Sequence, residues 1–91
     1  MTTRGLSVPK WTQDQAIAYE TALEAINDVI AGYSEQIEIA DSRRAEWLGF
    51  RIDQARDVQR SLDVTDDANV QQVILEYGAI VRARDAAEQS G

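Results

Sequence analysis

Apolar residues recur at Tyr19, Leu23, Ile26, Ile30, Tyr33, Ile37 and Ala40, with spacings that alternate four and three. That rhythm draws one stripe along a helix with a coiled-coil-like period. Upstream, Thr12 followed by Gln15 fits a capping box, the hydroxyl accepting from a free backbone N–H and the side-chain amide reaching back. The stripe crosses Gly32 without losing phase, so the spacing predicts a first helix over 12–41. The glycine costs roughly 1 kcal/mol relative to alanine, and a helix that ends there is the alternative.

A second stripe runs through Ala45, Leu48, Ile52, Ala55, Val58 and Leu62, with Asp41 and Ser42 as candidate caps. It predicts a helix over 43–62. No glycine or proline marks the join, so an unbroken helix from 12 to 62 is also compatible with the pattern. A break near 41–44 is the preferred reading, because one uninterrupted helix would need an oligomeric partner to bury its seam. Leu62 to Asp67 reads as a loop in which Thr65 or Asp66 caps a third helix over 66–88, striped by Val70, Val73, Ile74, Tyr77, Ile80 and Val81. Arg82 and Arg84 are expected in its last turns, where cations complement the helix dipole.

Three stripes joined by short connections predict an all-α, antiparallel three-helix bundle, a long helical hairpin plus a third helix. The chain of 91 residues is one domain, with residues 1–10 as an irregular lead-in and 89–91 as a frayed tail. Residues 12–20 are expected to overhang the bundle unless the lead-in, with Trp11, folds over them.

Composition then narrows the chemistry. A hydrophobic content of 44% suits a globular domain rather than a disordered acidic tail. There is no cysteine, hence no disulfide, thiol nucleophile or thiolate ligand. There is no histidine either, which removes the commonest general base at neutral pH and the commonest nitrogen ligand for zinc or iron. The serines and threonines therefore lack an activating base, and the only lysine is Lys10. The expectation is a protein that is not an enzyme and carries no cofactor and no metal. Residues 1–15 hold no apolar run of signal-peptide type and no stretch approaches a membrane span, so a soluble cytoplasmic protein is the simplest expectation.

Charge is sorted by helix within a net charge of −7. Residues 11–41 carry seven acids and no base, while Arg43, Arg44, Arg51, Arg56 and Arg60 fall in the second helix. One expectation is that those arginines face the acids across the bundle and fix its register, each exposed pair contributing about 0–1 kcal/mol. The other is that Glu20, Glu24 and Asp28, at i, i+4 and i+8, present an acidic row to a basic partner. Direct nucleic-acid binding is disfavoured, since it needs an uncompensated basic face. The same acids do not fit a di-iron bundle, which pairs glutamates with Glu-x-x-His. Asp63, Asp66 and Asp67 lack the glycine of a calcium loop and read as caps.

Trp47-Leu48-Gly49 resembles the WxG signature of small secreted helical hairpins, and the likeness extends to length, helicity and lack of cysteine. The resemblance implies leaderless export of a helical hairpin. That family places the signature in the turn between two helices and adds a C-terminal Tyr-x-x-x-Asp/Glu; here Tyr77 is followed four residues later by Val81.

The aromatics of the second helix carry the positive expectation. Trp47 lies about a quarter-turn from the Leu48–Ile52–Ala55 stripe and Phe50 nearly opposite it. Ile17, Ile39 and Leu75 also fall off their stripes. Either a wide core takes Trp47 in, or Trp47 and Phe50 form a second apolar face. The expected function is a protein–protein interaction module, a homo-oligomer or a subunit or regulator of a larger assembly, anchored by Trp47 and Phe50 with Glu20, Glu24 and Asp28 as its electrostatic part. An acidic regulator that binds a basic surface of nucleic-acid machinery is the alternative.

Overall fold

A computed structural model describes residues 11–90 as three helices: α1 (Gln13–Ile37), α2 (Ser42–Ser61) and α3 (Asp67–Ser90). The lead-in 1–10 and Gly91 lie outside the described residues. The all-α three-helix bundle expected from the stripes is the architecture observed.

Each helix starts where a short polar side chain can satisfy the free N–H groups of its first turn. Thr12 forms the full capping box: Gln15 N donates to Thr12 Oγ1 at 3.0 Å, and Thr12 N donates to Gln15 Oε1 at 2.9 Å. Asp41 accepts from Arg44 N at 2.9 Å at the head of α2. Asp66 accepts from Asn69 N at 3.1 Å at the head of α3.

The helix ends depart from the sequence reading. α1 passes through Gly32 but stops at Ile37, four residues before the expected 41. Glu38, Ile39 and Ala40 donate to the carbonyls three residues back, a tightening that turns the chain into the Asp41 cap. Ile39 is 89% exposed in this turn. α3 runs through Ser90, so Arg82 and Arg84 sit more than a turn from its end and not in the dipole-complementing position expected of them. Trp47-Leu48-Gly49 lies inside α2, not in a turn.

α2 returns antiparallel to α1, and α3 runs parallel to it. Both pack on α1, while no Cα of α2 comes within 8 Å of one in α3. The shared core is Ala22 and Ile26 from α1, Ala55 from α2, Leu62 from the loop, and Val70 and Val73 from α3. Val29, Leu48 and Ile52 are buried further toward the α1–α2 turn. Residues 12–20 do not overhang: Gln15 Nε2 donates to Asp67 Oδ1 at 3.0 Å, and Ala18 and Tyr19 pack against the core.

Candidate interaction surface

Leu48, Ile52 and Ala55 turn one face of α2 into α1 and are buried. A quarter-turn away, Trp47 is 49% exposed. Its ring meets Tyr33 of α1 edge-on, with centroids 6.3 Å apart and planes at 71°. Arg44, one turn before it, and Arg51, one turn after it, place their guanidinium carbons 5.6 and 5.8 Å from the Trp47 ring centroid. Trp47 is thus neither a core residue nor a free one. Its inner edge is packed, two cations hold it, and the rest of it faces solvent; each exposed cation–π contact contributes about 0.5–1 kcal/mol.

The partners of those arginines are neutral. Arg44 Nη2 donates to Gln36 Oε1 at 3.3 Å, and Arg51 Nη1 donates to Gln54 Oε1 at 3.1 Å. Arg51 Nε is buried without a hydrogen-bond partner. Phe50 continues the surface at 59% exposure, so that Arg43, Trp47, Phe50 and Gln54 form a stripe at i, i+4, i+7 and i+11. Beside it, an open groove between α2 and α3 is lined by Arg51, Gln54, Val58, Glu76, Tyr77 and Ile80. Burial pushes the Tyr77 phenol above its ordinary pKa, the Arg51 charge pulling the other way.

The cross-bundle ion pairs expected between α1 and α2 are not formed. Among the described residues the ion pairs are Arg60 with Asp57 and Arg84 with Asp85, each within one helix. The reason is rotational. With Ile26 facing the core, Glu20, Glu24 and Asp28 fall on the far side of α1, and all three are exposed. Ile17, at 54% exposure, shares that outer face. The structure therefore does not bring the acid row together with Trp47 and Phe50; they are separate faces.

Residues to which the sequence reading gave other roles stand out here. Arg44 and Arg51 flank Trp47 at i−3 and i+4, a spacing visible in the chain once Trp47 is placed on a helix. Gly32 forms a notch for α3: Arg84 Nη1 reaches past it to donate to the Asp28 carbonyl at 3.1 Å. A Cβ on Gly32 would stand 2.7 Å from that nitrogen. Asp28, Ala31, Gly32, Glu35, Gln36, Arg84 and Glu88 line the shallow cleft so formed between α1 and α3.

The loop acids are engaged in local structure. Asp63 Oδ1 accepts from Thr65 N at 2.9 Å and from Thr65 Oγ1 at 2.7 Å, which holds the carboxyl below its ordinary pKa. Asp66 caps α3, and Asp67 takes the Gln15 amide. Among the described residues no three carboxylates converge as metal ligands would, and no helix is long and apolar enough to cross a membrane. Comparison of the chain with protein families, characterised proteins and solved structures gives no match.

Proposed function

We propose that this chain is a non-enzymatic protein-interaction module, acting as a soluble cytoplasmic protein, whose docking surface is the Trp47–Phe50 face of α2. The observation that supports the reading best is the state of Trp47: half exposed, clamped by Arg44 and Arg51, and bordered by exposed Phe50. Tryptophan and arginine dominate the energetics of protein interfaces, because a large ring and a weakly hydrated planar cation lose little on leaving water. A ring already held by neighbours also forfeits little rotamer freedom on binding.

A photo-crosslinking side chain at position 50, compared with one at Gln71 in α3, tests the reading in cells. Position 50 is expected to give a covalent adduct with a protein, at a yield that Trp47→Ala lowers; Gln71 is expected to give none. Equal yields from both positions, or no adduct from position 50, would contradict it.

The exposed row Glu20, Glu24 and Asp28 supports a second reading, an acidic regulator of nucleic-acid machinery. Salt separates the two. Aromatic-anchored binding survives about 0.5 M salt, whereas charge-led binding between exposed groups does not.

A further inference from the structure

Arg44, Trp47 and Arg51 stand at i, i+3 and i+7 of α2. On a helix these share a face, the two cations about 10 Å apart with the indole between them. In a chain of net charge −7, neither arginine has a carboxylate within ion-pair distance among the described residues. A cationic knob is left uncompensated on an acidic protein.

The outer face of α1 carries the inverse pattern at the same spacing: Asp28, Ala31 and Glu35, all exposed. Two acids lie about 10 Å apart with a small residue between them. They border the shallow cleft at Gly32, and its cation, Arg84, is already engaged with the Asp28 carbonyl and with Asp85. Knob and cleft adjoin at Gln36, which accepts from Arg44 and lines the cleft, but no ion pair joins them within one chain among the described residues.

We infer that the occupant of the α2 face is a second copy of this chain, docked head to tail, with Trp47 of one copy over Ala31 of the next. Arg44 and Arg51 then pair with Asp28 and Glu35. This rests on the reading of α2 as a docking face and names what covers it. Because the two patches differ, each junction leaves one knob and one cleft free for further copies.

The test is sedimentation equilibrium on four forms of the full chain, each checked for helicity by circular dichroism. They are wild type, a knob reversal (Arg44→Glu with Arg51→Glu), a cleft reversal (Asp28→Lys with Glu35→Lys), and the chain carrying all four changes. Wild type is expected to rise above its 10.1 kDa monomer mass with concentration. Each reversal alone should weaken association at least about tenfold, from two lost rim pairs and the repulsion that replaces them. Like charges then meet only when a reversal variant pairs with itself; mixing the two reversals sets each knob against a cleft of opposite charge, so the mixture should associate again as alternating copies. The fourfold variant should associate again with its charges exchanged. Wild type that stays monomeric at about 1 mM, or a mixture of the two reversals that associates no better than either alone, overturns the inference. A monomeric chain that still crosslinks from position 50 to another protein refutes the second copy and leaves the docking face standing. A monomer that crosslinks to nothing ends both.

Discussion

Gly32 and Gly49 offer the same substitution in two helices with opposite surroundings. Neither glycine has a positive φ, so alanine meets no backbone strain at either site. Replacing a mid-helix glycine by alanine stabilises by about 0.5–1 kcal/mol, since alanine loses less backbone freedom on folding. At Gly49 a Cβ meets nothing within 4 Å, and that gain should appear in full. At Gly32 the new Cβ stands 2.7 Å from Arg84 Nη1 and 3.6 Å from Cδ, so the guanidinium must leave. Its 3.1 Å bond to the Asp28 carbonyl goes with it. A hydrogen bond from a charged donor contributes about 1.5–3 kcal/mol, reduced to about 1 here because the Arg84 side chain is 32% exposed. Gain and loss then nearly cancel. Urea unfolding followed by circular dichroism, at concentrations too low for self-association, should place Gly49→Ala about 1 kcal/mol above wild type and Gly32→Ala within about 0.5 of it. In an Arg84→Ala background the contact is already gone, and Gly32→Ala should recover its full gain, a coupling of about 1 kcal/mol. If Gly32→Ala stabilises as much as Gly49→Ala with Arg84 intact, the notch between α1 and α3 is wrongly described.

The core and the loop give two further expectations. Ile26 is fully buried in the three-helix cluster, so Ile26→Ala should cost about 2–5 kcal/mol, while Leu75→Ala, at a site 64% exposed, should stay within about 0.5 in the same urea assay. Asp63 has its carboxyl pKa held below the ordinary 3.8 by the Thr65 N–H and hydroxyl, so its contribution is present above that value and is lost as pH falls through the lower folded one. Asp63→Asn should therefore flatten the loss of urea midpoint below about pH 4, and an unchanged acid limb would contradict the assignment.

Much of this fold is written in local chemistry. Thr12, Asp41 and Asp66 announce the three helix starts because capping depends on residues only three positions away. The end of α1 is not announced. Ile37 and Ala40 keep the stripe in phase across a turn whose tight bonds leave no composition signature, and the apolar rhythm therefore overruns it. The fate of the acid row was readable: rotating about 100° per residue from Ile26 puts Glu20, Glu24 and Asp28 on the far side, where α2 cannot reach them. Pairing charges by helix without regard to face produced the expected register bridges that do not exist. Trp47 was not readable, since its exposure depends on Tyr33 from another helix and on α3 standing clear of α2. The Gly32 notch is equally nonlocal, joining residues 52 positions apart through a space that only the packed structure defines.

The central proposal is that α2 docks a second copy of this chain through its arginine-clamped tryptophan, and amide chemical shifts followed by concentration test it most directly. Between about 20 µM and about 1 mM, a range that brackets weak association, the amides of 44–51 should move together with those of 28–35. Those around Leu75 on α3 should stay still. Shifts absent throughout, or confined to the α3 face, would contradict the account.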